Sequence, residues 1–370
     1  MTACDACLRR ALLLERLAPY IERVATGAPG SRAPELLALR DEALTRAVGG
    51  RDAARLLAES EANDPERLRR TLDAAACWAT CRHQPEYPST LHDLGDEAPA
   101  ALIGRGDAVV LRQLEDTPGV TVVGSRRAGA YGKSVARDLA RMLAASGLPV
   151  ISGLALGIDA AAHRGALDAG GPTVAVLGSG PDRAYPPSNG RLYAEILEAG
   201  GAAVSELPPG AAAFRWTFPA RNRIMAALAA MTVVVEAAER SGSLITAGFA
   251  QDLQRPVGAV PGPVNSWLSA GTNALIFDGA QVVRNAQDVL DLLLGAGAGA
   301  PRGAGPALDS ELAVVLAAVE GGRRTADDIA LSSGVDARRV ASALARLEML
   351  GYVESDVTGA YSRSQLAVPS

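Results

Sequence analysis

Three short segments of the chain combine glycine, serine and arginine in a way that suits a negatively charged ligand. They are 124–127 (Gly-Ser-Arg-Arg), 218–223 (Phe-Pro-Ala-Arg-Asn-Arg) and 241–247 (Ser-Gly-Ser-Leu-Ile-Thr-Ala). Glycine lets a backbone approach an anion closely, N–H groups at a helix start attract negative charge, and arginine donates paired hydrogen bonds to phosphate oxygens. A small ligand needs one such segment, so three indicate a longer, phosphate-bearing ligand.

The middle segment points most directly to nucleic acid. Arg221 and Arg223 can each reach a phosphate, and Asn222 can bond a base edge. Phe218, with Trp216 nearby, can stack on an unpaired base, which is worth about 1–3 kcal/mol per base. Aromatic residues are only 4% of the chain, so two of them among three arginines favour this interpretation over a core Phe beside a solvated arginine helix. The candidate nucleic-acid-binding residues are Gly124, Ser125, Arg126, Lys133, Phe218, Arg221, Asn222, Arg223, Ser241, Gly242 and Ser243.

Familiar nucleotide-binding motifs do not fit the first segment. A Walker A loop would need glycine where Arg127 stands, and a dinucleotide fingerprint would need glycine in place of Arg126. A turn that suits one phosphate remains, with a purely structural turn as the alternative. Lys133 is the only lysine of the chain and stands at a predicted helix start; a functional contact and chance survival of one codon are both open.

Asp159 and His163 lie four residues apart, on one face of a predicted helix. Such a pair can do acid–base chemistry. A hydrogen-bonded structural brace is favoured, because no reactive serine or cysteine stands beside the pair in the sequence. We therefore predict no catalytic residue and a protein that is not an enzyme.

Composition limits the classes of protein that fit. The net charge of −5 argues mildly against a nucleic-acid binder, but residues 126–141 carry a local excess of positive charge and residues 211–230 hold three arginines and no acid. No apolar run is long enough to span a membrane, and the N-terminus lacks the pattern of a signal peptide. We expect a cytoplasmic protein without a membrane segment.

The elements that must position these segments form an α/β pattern between about residues 118 and 290. Apolar runs of four or five residues without alternation are typical of strands buried on both faces of a parallel sheet. They alternate with helical stretches, which predicts a Rossmann-like, doubly wound, mostly parallel sheet. The predicted strands are Val120–Val123, Pro149–Ser152, Thr173–Leu177, Ala202–Ser205, Thr232–Val235, Pro256–Val260 and Ala280–Val283.

The flanking regions have different patterns. Leucines at helical spacing predict a small α-helical domain over 1–84, with helices from 8 to about 80. Residues 85–292 hold the Rossmann-like core, and the Gly/Ala/Pro-rich stretch 293–306 is a predicted flexible linker. Residues 307–370 follow a helix, helix-turn-helix and hairpin plan, which predicts a winged helix that contacts either DNA or protein.

All four cysteines lie in the N-terminal region, as Cys4-x-x-Cys7 and Cys77-x-x-x-Cys81, with His83 close by. Two close pairs can form one tetrahedral zinc site, and a set in which His83 replaces Cys77 is a second arrangement. Reduced thiols without metal are the other interpretation. We expect no cofactor, with zinc in the N-terminal domain left open.

Taken in order, the motifs of residues 85–290 resemble the DNA-processing protein A family (DprA, or Smf). The N-terminal helices, which would be of the sterile-α-motif or helix-hairpin-helix kind, and the C-terminal winged helix fit family layouts less specifically. Leu156 departs from the family pattern at a usually basic position. The matching segments are 122–126 (Val-Val-Gly-Ser-Arg), 131–132 (Tyr-Gly), 152–163 (Ser-Gly-Leu-Ala-x-Gly-Ile-Asp-x-x-Ala-His), 185–186 (Tyr-Pro), 205–210 (Ser-Glu-x-Pro-Pro-Gly), 218–224 (Phe-Pro-x-Arg-Asn-Arg-Ile), 234–247 (Val-Val-Glu-Ala-x-x-x-Ser-Gly-Ser-Leu-Ile-Thr-Ala) and 260–262 (Val-Pro-Gly).

The resemblance implies a homodimeric single-stranded DNA-binding protein that protects incoming DNA in natural transformation and loads the RecA recombinase, without established catalysis. One alternative is a Rossmann-type nucleotide-processing enzyme, a lysine-decarboxylase-like phosphoribohydrolase. That class would carry Pro-Gly-Gly-x-Gly-Thr-x-x-Glu where residues 241–247 stand, and no glutamate ends this segment. A transcription factor that uses the winged helix is the third interpretation.

Overall fold

The computed structural model describes residues 3–25, 33–295, 308–355 and 359–363. The chain divides into two compact units, Met1–Ala298 and Gly299–Ser370, which are described separately. The predicted linker 293–306 lies mostly outside the described residues, and its first two residues belong to a helix that ends at Leu294.

Helices open the first unit. The first of them, α1 (Asp5–Ala25), carries a stripe of buried leucines, and Trp216 donates a hydrogen bond from Nε1 to the Ala18 carbonyl of this helix at 3.0 Å. The N-terminal helices therefore pack directly against the segment that was expected to bind nucleic acid, and a domain boundary at residue 84 stays a prediction. The helices are α1 (Asp5–Ala25), α2 (Ala33–Leu37), α3 (Asp41–Gly49), α4 (Ala53–Glu61) and α5 (Pro65–Ala74), with a 3₁₀ turn at Gly50–Asp52.

Nine strands of the described residues form one sheet, in the order β1-β2-β6-β5-β4-β3-β7-β8-β9. The seven strands from β3 to β9 pair in parallel, and β1 and β2 add an antiparallel pair beside β6. The strands are β1 (Cys77–Cys81), β2 (Ala101–Gly106), β3 (Val120–Val123), β4 (Val150–Ser152), β5 (Thr173–Val176), β6 (Ala202–Ser205), β7 (Met231–Val234), β8 (Val257–Ala259) and β9 (Gln281–Val282).

Helices cover both faces of this sheet and bury its apolar runs. One core joins strand residues such as Ile151 and Val234 to side chains of α6, α10 and α11, and a second joins Ala175 and Ala203 to α8 and α9. These helices are α6 (Val109–Asp116), α7 (Ala130–Ala145), α8 (Ile158–Asp168), α9 (Gly190–Glu198), α10 (Thr217–Leu228), α11 (Ser243–Asp252), α12 (Ala270–Phe277) and α13 (Ala286–Leu294), with 3₁₀ segments at Ser89–Glu97 and Pro187–Asn189.

The fold class predicted from the sequence is confirmed, and all seven predicted strands are present within two residues at each end. Two strands were missed. Residues up to about 80 were expected to be helical, but Cys77–Cys81 is a strand that pairs with β2. Its short sequence, Cys-Trp-Ala-Thr-Cys, carries no clear period, and its pairing with a distant partner decides its conformation.

The second unit has the predicted winged-helix plan. Thr325 caps α15 by accepting from the Asp328 N–H at 3.2 Å, and Asp336 caps α16 by accepting from the Arg338 N–H at 3.0 Å. A separate apolar core, which includes Leu316 and Leu344, holds the helices together. The elements are α14 (Ser310–Glu320), α15 (Ala326–Ser333), α16 (Ala337–Met349), β10 (Val353–Ser355) and β11 (Tyr361–Arg363).

Among the described residues, no helix is both long enough and apolar enough to cross a bilayer.

Candidate functional site

The sheet reverses its strand order between β3 and β7, and this reversal creates a cleft at their carboxyl ends. From β3 the chain continues outward through β4, β5 and β6, and then returns to the opposite side of β3 with β7. Ligands of open α/β sheets bind at such a switch point. A cavity of about 690 Å³ lies there, lined by the segments that follow β3, β4 and β7 and by the first turns of α10. All three segments that the sequence singled out therefore meet at one cleft.

The segment after β3 is held in a tight turn by the segment after β7. The Ser125 N–H donates to the Glu236 carbonyl at 2.6 Å, and the Glu236 carboxylate accepts from the Gly129 N–H at 2.7 Å. A Cβ at Gly124 would lie 2.6 Å from Ile158 and 2.8 Å from the Glu236 carbonyl. Glycine is needed at residue 124 because the two backbones approach this closely.

One wall of the cavity is a stack of a cation and two aromatic rings. The Arg126 guanidinium lies 5.0 Å from the ring centroid of Phe218, and the Tyr185 ring lies 5.2 Å from the same ring at 39°. Such a contact combines a cation–π interaction with a flat apolar surface. Trp267, which is 63% exposed, also lines the cavity. The cleft thus presents several π faces to solvent.

Four exposed arginines surround this wall, namely Arg126, Arg127, Arg215 and Arg240. Within the described part of the chain, none of the four forms an ion pair with a carboxylate. Elsewhere in the chain, exposed arginines such as Arg137 pair with acids. Positive charge without an internal partner, concentrated at a concave surface, attracts anionic ligands.

Arg221 also lines the cavity, but its guanidinium is buried beneath the floor. It donates to the carbonyls of Gly153 and Val176 and lies 3.8 Å from the Asp159 carboxylate. Burial lowers the pKa of Arg221 to about 10, and burial raises the pKa of Asp159 in spite of the opposing charge. A Cβ at Gly153 would lie 1.9 Å from this guanidinium, so Arg221 joins the ends of β4 and β5 and positions the cleft from below.

The start of α11 forms the third side of the cleft. Ser241 and Ser243 lie with their Oγ atoms 2.8 Å apart, and Gly242 precedes the first helical residue. Asn222 is buried and donates from Nδ2 to the Gly242 carbonyl at 3.2 Å, which fixes this turn against α10. Within this turn the Ser243 N–H donates to the Ser241 Oγ at 3.4 Å and the Leu244 N–H donates to the Ser241 carbonyl at 3.1 Å. The turn therefore offers an anion the positive end of the α11 dipole and the two serine hydroxyls.

Two of the predicted contact residues lie elsewhere. Arg223 is 1% exposed, forms a close ion pair with Glu206 and donates to the Glu97 carbonyl. Lys133 is exposed on α7 but does not line the cavity. Neither side chain lines the cavity. The stacking role expected of Trp216 is wrong, because this side chain is 2% exposed and packs against α1.

The Asp159 and His163 pair follows the structural interpretation. Asp159 accepts from the N–H groups of Gly153 and Ala155, and the His163 Nδ1 lies 2.8 Å from the Thr173 hydroxyl. His163 is fully buried, and burial lowers its pKa to about 3. The two side chains brace the loop after β4 and the start of β5 rather than each other.

Tyr185 and Trp267 are cavity residues that the sequence reasoning did not select, as are Arg127, Arg215 and Arg240. Tyr185 belongs to the Tyr-Pro segment 185–186 of the family resemblance, for which the sequence indicated no role. Trp267 is one of three tryptophans in a chain with few aromatic residues, and this rarity was the available signal. Arg127 is part of the segment 124–127 but had no role of its own in the prediction, while Arg215 and Arg240 lie within three residues of the segments 218–223 and 241–247.

Of the two sets of zinc ligands that the sequence left open, the structure brings together the one that contains His83. The ligand atoms of Cys4, Cys7, Cys81 and His83 lie within 4.8 Å of one another. Cys77 is outside this group, because it lies at the other end of β1, four residue steps of roughly 3.3 Å from Cys81.

Comparisons with known proteins agree with this architecture. A family model described as DNA recombination-mediator protein A matches residues 78–294, and one described as the DprA winged helix domain matches residues 299–356. A Mycobacterium tuberculosis relative named as a DNA processing protein DprA is 45% identical over 239 residues, which are 63% of this chain and 61% of that protein. The Streptococcus pneumoniae DprA is 42% identical over 205 residues, 55% of this chain and 70% of that protein. The match thus spans less than two thirds of the mycobacterial relative.

Two solved structures extend the comparison. The structure of S. pneumoniae DprA superposes with a TM-score of 0.60 at 32% identity and covers 78% of this chain and 98% of that one. A Helicobacter pylori structure, whose published description concerns the single-stranded DNA binding mode of that DprA, superposes with a TM-score of 0.52 at 33% identity over 59% of this chain and 95% of that one. Because the first family model alone spans more than half of the chain, the protein belongs to the DNA recombination-mediator protein A family.

Proposed function

We propose that this protein binds single-stranded DNA in the cleft between β3 and β7, protects incoming DNA during transformation and delivers it to the RecA recombinase. The observation that carries the proposal is the joint placement, around one cavity, of three aromatic side chains and four exposed arginines that have no carboxylate partner in the described part of the chain. Arginine side chains and the serine hydroxyls at the start of α11 supply contacts to phosphates, and the aromatic faces supply stacking surfaces for bases. The H. pylori relative supports the ligand class.

A single strand suits this cleft better than a duplex. Exposed ring faces gain energy only from bases that are unstacked and accessible. In a duplex the bases are paired inside the helix, and a protein meets mainly phosphates and groove edges. Phe218, Tyr185 and Trp267 would then have no ring to contact. We therefore infer a preference for single strands that originates in the aromatic residues, with affinity that originates in the arginines.

Binding without catalysis is part of the proposal. The acid nearest the cavity, Asp159, is engaged by Arg221 and by two loop amides, and His163 lies in the core. Neither group is placed to move a proton of a ligand in the cleft. The rival nucleotide-processing enzyme is tested by incubating the protein with nucleoside monophosphates and measuring release of the free base. Turnover that depends on Asp159 would favour the enzyme.

Fluorescence anisotropy with a labelled oligothymidine, titrated at several salt concentrations, tests the binding proposal. Wild-type protein is expected to bind with a strong salt dependence, because phosphate contacts release counterions. The double variant Arg126→Ala/Arg240→Ala should bind more weakly. The negative slope of log affinity against log salt should become shallower by about 1.4, or ~0.7 for each lost phosphate contact on a single strand.

The matched control is Arg191→Ala, which removes an exposed arginine that pairs with Glu195 on α9, outside the cavity. It should leave affinity and slope unchanged. Equal affinity and slope in wild type and the double variant would overturn the proposed site.

Recombinase delivery and dimer formation need separate tests. Delivery predicts faster RecA filament assembly on oligonucleotides that are already coated with single-strand-binding protein. The double variant should lose this effect in proportion to its loss of DNA affinity. Light scattering that gives twice the chain mass would support the homodimer. Filament assembly that is unaffected by the wild-type protein would remove the delivery step and leave the binding proposal intact.

A further inference from the structure

A cluster of three thiols and one imidazole lies far along the sheet from the DNA cleft, at the edge strand β1. Cys4 directly precedes α1, Cys7 lies in the first turn of α1, Cys81 ends β1, and His83 lies in the turn that follows. Their ligand atoms are all within 4.8 Å of one another. The chain thus brings four soft or borderline donor atoms together from two regions that are separated by more than seventy residues of sequence.

The spacing of these atoms fits a tetrahedral metal ion. The His83 Nδ1 lies 3.5 Å from the Cys4 Sγ and 3.5 Å from the Cys7 Sγ. Bond lengths of ~2.3 Å to sulfur and ~2.0–2.1 Å to nitrogen place two ligand atoms of a tetrahedral zinc site roughly 3.5 Å apart. A disulfide would instead bring two sulfurs to about 2.05 Å, and all four cysteines of the chain are free.

The surroundings favour a metal with thiolate ligands. The Cys4 N–H donates to the Cys81 Sγ at 3.4 Å, a contact that stabilises negative charge on this sulfur. Cys7 and Cys81 are buried among Leu8 and Leu72, an apolar shell that limits access of water. Three thiolates and one divalent ion carry a net charge of −1, and the Arg82 side chain lines the same hollow as Cys7 and His83.

We propose that Cys4, Cys7, Cys81 and His83 bind one Zn²⁺ ion as a structural site. The three thiols lose their protons to solvent when the ion binds, and His83 coordinates through Nδ1 as the neutral imidazole. Four protein ligands complete the coordination shell, and a closed shell of this kind is typical of a structural rather than a catalytic zinc. The ion fastens the start of α1 to the end of the edge strand and so holds the N-terminal helices on the sheet.

The test is metal content by inductively coupled plasma mass spectrometry, on full-length protein that is purified without a metal-affinity tag or chelator. Wild type should contain one zinc per chain. Cys4→Ser and His83→Asn should each lower the zinc content or zinc affinity by about tenfold or more. Cys77→Ser is the matched control, because it removes a cysteine of the same strand that lies outside the group, and it should keep full occupancy.

A second measurement does not depend on variants that fold. Wild-type protein stripped with a chelator and titrated with Co²⁺ should develop the visible absorption bands of a tetrahedral thiolate site, and Zn²⁺ should abolish them. The chelator should also lower the melting temperature, and added zinc should restore it. The proposal is overturned if wild type neither contains zinc nor binds Co²⁺ in this way, if Cys77→Ser loses the metal as Cys4→Ser does, or if mass spectrometry shows a disulfide within the group.

Discussion

Burial divides the arginines of the 124–127 and 218–223 segments into two roles. Arg126 is exposed, has no carboxylate partner among the described residues and lies over Phe218. Arg221 and Arg223 are buried, and each is paired with an acid. Residue type and spacing suggested the same role for all three, since a sequence does not show which guanidinium is already satisfied. Substitution of Trp267 and of Arg221 therefore distinguishes a proposed contact to DNA from a residue that positions the site.

Trp267→Ala is expected to weaken binding of single-stranded DNA without affecting the fold. The side chain is 63% exposed and lines the cavity, and the loss of one stacking contact costs about 1–3 kcal/mol, or roughly 5- to 150-fold in affinity. Anisotropy titration measures the change. Trp78→Phe, which alters a tryptophan outside the cavity, is the control. Oligothymidine should also quench the fluorescence of Trp78→Phe but not that of Trp267→Ala; the reverse pattern would exclude Trp267 from the site.

Arg221→Met should destabilise the first unit in a pH-dependent manner. Removal of the guanidinium leaves the buried Asp159 carboxylate without its partner, which costs about 3–5 kcal/mol for a buried pair. Burial already raises the pKa of Asp159 above the ordinary 3.8, and Arg221 opposes that rise. Without Arg221 the folded protein binds the Asp159 proton still more tightly, so the free energy of unfolding of the variant falls as pH rises above 3.8. The loss should be larger at pH 8 than at pH 5.

Urea unfolding followed by tryptophan fluorescence measures this effect, because all three tryptophans lie in the first unit. The double variant Arg221→Met/Asp159→Asn removes the carboxylate together with its partner and should lose the additional pH dependence. A destabilisation of Arg221→Met that is the same at both pH values would contradict an unpaired Asp159 as the cause.

At the scale of elements, the cleft depends on how closely the loop after β3 approaches the loop after β7. Gly124→Ala would place a methyl group 2.6 Å from Ile158 and 2.8 Å from the Glu236 carbonyl. We expect a loss of stability of about 1–3 kcal/mol, as for overpacking of a filled site, together with weaker DNA binding because Arg126 shifts with the loop. Thermal unfolding and anisotropy measure the two effects.

Gly242→Ala is the control for that prediction. It also lies at the cleft, but its φ of −64° suits any residue and no atom lies within 4 Å of the added Cβ. Its stability should remain close to that of wild type. If Gly124→Ala were as stable as Gly242→Ala, the close approach of the two loops would not be a requirement of the fold.

The parallel sheet was predictable from sequence because its strands are locally distinct. Runs such as Val120–Val123 (Val-Thr-Val-Val) are β-branched throughout, mostly apolar and bounded by glycine or proline, so the local sequence pattern and the final structure agree. β1 and β2 were missed because their conformation depends on partners far away, Cys77 opposite Arg105 and Ile103 opposite Ser205. The same limit applies to the candidate site. The three segments that line it are evident in the sequence, but Tyr185 and Trp267 come close to them only in the folded chain.

For the whole molecule, the acidic net charge of −5 and a cleft lined by exposed arginines coexist because the charges are unevenly placed. Several acids outside the cleft pair with arginines, as in the i,i+4 pair of Arg46 and Glu42, whereas the four exposed arginines of the cleft have no carboxylate partner among the described residues. Exposed charges are screened beyond about 8 Å at physiological salt. A strand in the cleft therefore responds to the local arginines rather than to the total, and weak binding at high salt is the expected consequence.

The division into two units predicts that residues 1–295 fold and bind DNA without the winged helix. The cores of the first unit contain no described residue of the second, and the second has its own core around Leu316 and Leu344. All residues that line the cavity lie between Val123 and Trp267. The fragment should show the same tryptophan-monitored unfolding transition as the full chain, and its affinity for oligothymidine should lie within about threefold, a change below ~1 kcal/mol.

The complementary fragment, residues 299–370, gives the contrast. It should fold into the winged helix by circular dichroism and bind oligothymidine much more weakly than residues 1–295. A loss of tenfold or more in the affinity of residues 1–295 would show that the second unit contributes to binding. The first residue to test would then be Arg338, whose exposed side chain pairs with no carboxylate among the described residues, unlike Arg339 and Arg346 on the same helix. If full-length Arg338→Ala then binds as weakly as residues 1–295, while the full-length wild type binds more tightly than both, the contribution comes from the Arg338 side chain.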